Sequence, residues 1–309
     1  MKIVIPDPIW GIPEKYWDQL RGLGADVYKE LPTDQAETAR RIKDAEIITV
    51  NYLDGNRQLI DAAPHLKYIV SPAVGYEWID IGYATSKGIK VLNCPTFVPL
   101  SVAEHALALL FALARRLPEA RADLEKGIWL SNKYTGMEVA GKTLGLVGYG
   151  NVGHHLERMV KGLGMKVIWV NSKSTAVEID DLLRASDVVC LCLPLNKSTH
   201  HMIDKRRLGL LKKTAYLLNV ARGAIVDQAA LLEALQGQDF AGAGLDVFEG
   251  EPDAEGEISD QIRALVGLPN VVATPHSAFN TPETLDRKGA EILSDIQSCL
   301  AGRPQNMLN

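Results

Sequence analysis

Residues 142–174 read KTLGLVGYGNVGHHLERMVKGLGMKVIWVNSKS, and this stretch decides the fold. Thr143–Val147 is an apolar run of strand length, too short for a helix. It leads into Gly148-Tyr149-Gly150-Asn151-Val152-Gly153, a G-x-G-x-x-G motif at the head of a helical pattern. A second apolar run, Lys166–Val170, completes a strand–helix–strand unit. Each glycine has a physical reason: Gly148 allows the tight turn, Gly150 lets backbone approach a pyrophosphate, and Gly153 lets helix and strand pack closely. The helix N-terminus at Asn151 and Val152 then faces the phosphates with unpaired N–H groups and the positive end of its dipole. Between two strand-like runs the motif reads as a dinucleotide site rather than as a mere turn.

The end of the second strand decides which dinucleotide. An acidic residue about 20 residues beyond the motif would bond the adenosine ribose hydroxyls and favour NAD. Here Asn171, Ser172 and Lys173 stand there, with no carboxylate to repel a 2′-phosphate. Lys173 can attract that phosphate and Ser172 can bond it, so NADP(H) is expected over NAD(H), with NAD possible. The alternative is an exposed lysine beside a site of little discrimination.

At 309 residues the chain is long enough for two domains, each with its own core. The net charge of −5 and the lack of any basic block argue against nucleic acid and anionic membrane as partners. The opening MKIVIPDPIWG reads as a strand and a turn rather than a signal peptide, and Ala106–Ala114 is too short to cross a bilayer. Of the four cysteines, Cys190 and Cys192 fall in the strand-like VVCLCLP, both on one face. With no His or Cys cluster beside them they read as core packing, so no metal is expected and the compartment expected is the cytoplasm.

Before the motif, strand-like runs at Lys2–Ile5, Ala25–Tyr28, Glu46–Val50, Lys67–Val70 and Lys90–Leu92 alternate with helical stretches. Alternation of this kind predicts a parallel sheet with helices on both faces, and ligands beyond the carboxyl ends of its strands. Those ends hold Asn51-Tyr52, Val74-Gly75 and Asn93-Cys94-Pro95. Gly75 can offer backbone N–H groups to a small anion or can simply make a turn. Ser101 and Glu104 have capping-box spacing, which starts a helix through Arg116 that is apolar on nearly every face and therefore buried. His105 lies within it and is left without a role.

After the motif, strands are expected at Asp187–Leu193, Ala215–Val220, Gly242–Val247 and Val271–Thr274, making six with the first two. Their carboxyl ends carry Leu193-Pro194, Ala221-Arg222, Glu249 with Glu251, and His276. Reduction of a ketone leaves an alkoxide that needs a proton, and histidine is the natural donor near neutral pH. A carboxylate on the other ring nitrogen fixes the tautomer, and an arginine holds a neighbouring carboxylate by paired hydrogen bonds. Alone, each residue has a bland reading as a surface charge, a loop residue or a capping group. Three such residues at strand ends of one domain are harder to dismiss.

Over almost its whole length the chain resembles the D-2-hydroxyacid dehydrogenase family, glyoxylate/hydroxypyruvate reductases included, most specifically in VGYGNVG, LCLPLNKSTHHMI, LLNVARGAIVDQAALLEAL, GAGLDVFEGEP and TPHSA. The resemblance implies two doubly wound parallel-sheet α/β domains, a Rossmann cofactor domain (98–277) inserted in a flavodoxin-like substrate domain (1–97 plus 278–309), with Ser101–Arg116 at the hinge. It implies that Arg222, Glu251 and His276 are catalytic, with His276 as acid/base, Glu251 orienting it and Arg222 binding the substrate carboxylate. Tyr52, Val74 and Gly75 would contact the substrate. Leu193, Pro194, Thr199, Val220, Ala221, Asp246 and Ala278 would line the cofactor beside the glycine motif. The implied partners are a small 2-keto or 2-hydroxy acid and a second copy of the chain in a homodimer. His154, His155 and Glu157 depart from the small or aliphatic residues commoner in that helix. A regulatory, dinucleotide-sensing protein on the same fold, like the related co-repressors, is the alternative that the motifs leave open.

Overall fold

Most strands are short runs of β-branched and aliphatic residues buried along their length, such as Ile3–Ile5, Ile47–Thr49 and Val188–Leu191. That pattern is the signature of parallel sheets covered on both faces. The computed structural model describes residues 1–252 and 256–309. Two units divide it, Met1–Val98 with Asn280–Asn309 and Pro99–Phe279.

In unit 1, β1 (Ile3–Ile5), α1 (Glu14–Gly22), β2 (Asp26–Val27), α2 (Gln35–Ile42) and β3 (Ile47–Thr49) are followed by α3 (Arg57–Asp61), β4 (Tyr68–Ser71), α4 (Ile81–Ser86) and β5 (Lys90–Asn93). All pairings are parallel, in the order β2-β1-β3-β4-β5, the flavodoxin-like arrangement.

Unit 2 opens with α5 (Pro99–Ala114), α6 (Leu117–Glu125), β6 (Thr143–Val147), α7 (Asn151–Gly162), β7 (Lys166–Val170) and α8 (Ala176–Ala185). It continues through β8 (Val188–Leu191), α9 (Lys205–Leu208), β9 (Tyr216–Asn219), α10 (Gln228–Gln236), β10 (Gly242–Leu245), α11 (Asp260–Val266) and β11 (Val271–Ala273). Its parallel sheet has the order β11-β10-β9-β8-β6-β7, with the direction of winding switching at β6. The six strands and the doubly wound parallel sheet match the reading of the sequence, with two strands on one side of the switch rather than the three of the order 3-2-1-4-5-6. Beyond β7 the chain passes straight into α8, where Thr175 and Glu178 form a capping box, so among the described residues no third strand extends that half.

Helix α5 corrects an expectation. It starts at Pro99, not at a Ser101 cap, because the fixed φ of proline suits the first helical position. Its end also comes early: Arg116 takes a left-handed φ of 51° and α6 begins at Leu117. A Cβ on Gly244 of β10 would lie 3.0 Å from Leu109 Cβ, so α5 sits against the sheet as closely as a glycine allows. Cys192 also departs from the reading, lying past the end of β8, where its thiol donates to Gly148 O at 3.0 Å.

The last helix, α12 (Pro282–Leu300), returns to unit 1, capped by Thr281. Ile292, Ile296 and Cys299 are fully buried in one core with Ile3, Ile5 and Leu20. A Cβ at Gly289 would run into the Tyr16 ring of α1. Among the described residues no helix is long and apolar enough to cross a membrane.

Candidate active site

Three side chains from different strand ends of unit 2 converge. His276, two residues beyond the Thr274 that follows β11, has Nδ1 2.5 Å from Glu251 Oε1. The second carboxylate oxygen of Glu251 accepts the Phe248 N–H at 2.9 Å. Burial pushes the Glu251 carboxyl up, but the hydrogen bond and charge of His276, the Phe248 N–H and the charge of Arg222 outweigh it, leaving the group below its ordinary value. An ionised Glu251 accepts the Nδ1 proton, which makes Nε2 the ring nitrogen available to a ligand. The His276 side chain is 44% exposed, enough for a small molecule to reach it.

Arg222 leaves β9 in an extended conformation. Asn219, buried at the strand end, holds the loop from both sides: Ala221 N donates to its Oδ1 at 3.1 Å and its Nδ2 donates to Arg222 O at 3.0 Å. Next comes Gly223, where a Cβ would overlap the backbone of Phe248 and Glu249. A glycine there lets the arginine loop abut the segment that carries Glu251.

Sequence reasoning did not reach the scaffold behind His276. Asp246, 1% exposed, accepts from Thr274 Oγ1 at 2.6 Å, Ser277 N at 2.9 Å and Ala278 N at 3.0 Å, while its own carbonyl accepts from His276 N at 2.7 Å. One buried carboxylate thus shapes the whole turn. His105 of α5 joins it, with Nε2 2.8 Å from Thr274 Oγ1 and 3.5 Å from Asp246 Oδ1. The sequence carries no local signal for it, because 32 residues separate Asp246 from Ala278 and 28 separate it from Thr274.

The glycine motif sits between β6 and α7. Gly148 has a left-handed φ of 98°, and a Cβ there would strike Cys192 backbone. At Gly150, the α7 N-cap, an added Cβ would meet nothing within 4 Å, so that backbone is open to a ligand. Gly153 is buried, its would-be Cβ 3.2 Å from Gly148 O and 3.7 Å from Cys192 Sγ. Asn151 and Val152 form the first turn of α7. These features fit a pyrophosphate at a helix N-terminus. Of the odd residues of α7, two gather around the motif's Tyr149: its hydroxyl donates to Glu157, its ring lies 4.3 Å from His154 and stacks at 4.5 Å on Trp169, whereas His155 Nδ1 lies 2.9 Å from Arg158 Nη2.

After β7, Asn171 Oδ1 accepts Lys173 N at 2.9 Å, making a tight turn that exposes Ser172 and Lys173. In the loop after β8, Thr199 Oγ1 donates to Pro194 O at 2.8 Å and accepts Asn196 N at 2.8 Å, closing the loop that bears Leu193 and Pro194. Val220, Ala221 and Ala278 are buried.

The remaining residues singled out in the sequence belong to unit 1. Asp7 Oδ2 accepts from Asn51 N at 2.9 Å, Tyr52 N at 2.6 Å and Leu53 N at 3.0 Å, leaving Tyr52 40% exposed. Asn93 Nδ2 donates to Val74 O at 2.7 Å and Ser71 Oγ to Gly75 O at 2.9 Å.

Residues 107–278 match the family model described as "D-isomer specific 2-hydroxyacid dehydrogenase, NAD binding domain". The chain is 36% identical over 301 residues to a glyoxylate reductase of Korarchaeum cryptofilum, covering 92% of this chain and 89% of that protein. With a D-3-phosphoglycerate dehydrogenase of Methanocaldococcus jannaschii it shares 33% identity over its full length, but it spans only 59% of that longer protein. Among solved structures, an acyclic imino acid reductase in complex with NADPH and D-Arg superposes with a TM-score of 0.90 at 30% identity, covering 100% of both chains.

Proposed function

The chain belongs to the D-isomer-specific 2-hydroxyacid dehydrogenases, and we propose that it reduces a short 2-keto acid, glyoxylate or hydroxypyruvate, to the D-2-hydroxy acid, with NADPH preferred to NADH. The observation that carries this reading is the 2.5 Å contact between His276 and Glu251, with the charge of Arg222 felt at the same carboxylate. The named relatives agree with the substrate class, since one is a glyoxylate reductase.

The open backbone at Gly150, with Gly148, Asn151, Val152 and Gly153, would hold the pyrophosphate of the dinucleotide. Leu193, Pro194, Thr199, Val220, Ala221, Asp246 and Ala278 would line its remainder. A nicotinamide dinucleotide bound there supplies the hydride for the keto carbon. Arg222 pairs with the substrate carboxylate and polarises the carbonyl oxygen. His276 gives that oxygen a proton from Nε2, while Glu251 keeps Nδ1 protonated and the ring in place. In the oxidative direction the same imidazole takes the proton back. The exposed Ser172 and Lys173, with no carboxylate beside Asn171, support a 2′-phosphate, and NADH remains a slower alternative.

The working form proposed is a homodimer. Leu117, Leu124, Ile128, Trp129 and Leu130 are exposed within one short stretch of unit 2, with Trp129 at 82%. Apolar side chains concentrated like this are characteristic of a covered surface.

The test is steady-state oxidation of NADPH and of NADH with glyoxylate, hydroxypyruvate and a panel of larger keto acids. Turnover with kcat/KM at least about tenfold higher for NADPH is expected, a difference of about 1.4 kcal/mol. Cofactor binding with no turnover on any keto acid would remove the enzymatic reading, and a clear NADH preference would remove the cofactor assignment.

A further inference from the structure

Two imidazoles and a carboxylate meet on unit 2 away from His276. His200 and His201 follow Thr199 in the loop after β8, and Glu249 follows β10. One ligand atom from each lies within 4.8 Å of the other two. His201 Nε2 is 3.1 and 3.0 Å from the two Glu249 oxygens, and His200 Nε2 is 4.0 Å from Oε1. In a tetrahedral centre with bonds of ~2.1 Å, neighbouring ligand atoms stand ~3.4 Å apart. The observed separations bracket that value, so small rotations of exposed side chains would complete the geometry.

The backbone beneath these groups is fixed. Gln228, 5% exposed, grips Glu249 from both sides, accepting its N–H at 3.0 Å and donating to its carbonyl at 3.2 Å. Gly223 packs against the same peptide without room for a Cβ. His201 N donates to Ala224 O at 2.8 Å, and the two histidine rings stack 4.0 Å apart, both turning Nε2 toward one carboxylate. Solvent reaches all three, with side-chain exposures of 53% for His200 and 37% for His201 and Glu249.

We propose that His200, His201 and Glu249 bind one divalent cation of the borderline class, best matched by zinc, with water in the fourth position. Two nitrogens and one oxygen suit Zn²⁺, Ni²⁺ or Cu²⁺, whereas Mg²⁺ and Ca²⁺ demand oxygen ligands. Glu249 stands two residues before Glu251, and Phe248 N binds the Glu251 carboxylate, so a bound cation ties down the segment that holds His276. The site is independent of which acid is reduced. It escaped the sequence reading because 48 residues separate His201 from Glu249.

The experiment uses the full chain without an affinity tag, stripped with chelator, then titrated with Zn²⁺ by calorimetry and with Co²⁺ by visible absorption. One equivalent of each is expected, Co²⁺ giving the intense bands of a four-coordinate centre. His200→Gln and Glu249→Gln should each weaken binding by at least about tenfold, since ligands matter no less than their outer-shell partners. Zn²⁺ at one fixed concentration should raise the parent's Tm more than that of His200→Gln, and both proteins should melt alike in chelator. Absence of binding, or parental affinity in either variant, overturns the site.

Discussion

His276 carries its side chain on an uncommon backbone, a left-handed φ of 48° held by hydrogen bonds to Asp246 O and Thr274 O. Histidine, asparagine and aspartate tolerate that region better than alanine does. His276→Asn is therefore the cleaner deletion of the acid/base, and it should lower kcat by about 10² or more while leaving the NADPH dissociation constant near that of the parent. Parental turnover in that variant would end the assignment. Glu251 adds a pH dependence. Its folded value is depressed below 4.5, so its contribution to stability is complete above that pH and is lost as the pH falls through the depressed value. Glu251→Gln should accordingly flatten the acid limb of an unfolding-versus-pH curve, and an unchanged limb would contradict it. Arg222, Glu251 and His276 are legible in sequence because each follows a strand, where a parallel sheet gathers its ligands. Asn219, Gly223 and His105 are not, because their meaning lies in contacts such as that of His105 with Thr274, 169 residues away.

Elements follow the same division. The runs of β6, α7 and β7 are plain in the sequence because period and glycine spacing agree. The true start of α5 was hidden by a capping-box coincidence, and the shortened sheet edge beyond β7 cannot be deduced from a strand count. Packing between elements predicts that Gly223→Ala, whose Cβ has to displace the Phe248–Glu249 backbone, destabilises by about 1–3 kcal/mol and lowers turnover as well. Thermal unfolding and steady-state kinetics on one preparation would check both. On α12, burial drives the Lys288 ammonium down from 10.5 to about 8. Between those values the unfolded chain holds the proton more firmly, so this group makes stability rise with pH across the window. Lys288→Met should remove that rise and stabilise the protein at neutral pH by at most about 3 kcal/mol. A rise that persists in the variant would assign it elsewhere.

For the molecule entire, the two parallel sheets were foreseeable from the alternation of apolar runs with helical stretches. The interruption of unit 1 came from family likeness rather than from a low-complexity linker, which neither crossing, near Val98 or Asn280, contains. The exposed stretch from Leu117 to Leu130 makes the prediction for this level: light scattering should give twice the chain mass, and Trp129→Glu should shift the protein toward monomer with its Tm largely kept. A parent that runs as a monomer would refute it. The position of α12 has a further meaning for biosynthesis. During translation the N-terminal sheet must wait, its Ile3–Leu20 core uncovered by Ile292 and Ile296, until the ribosome has finished all of unit 2. Maturation should therefore begin with unit 2, and the sheet made before it should be among the last parts shielded from chaperones and proteases.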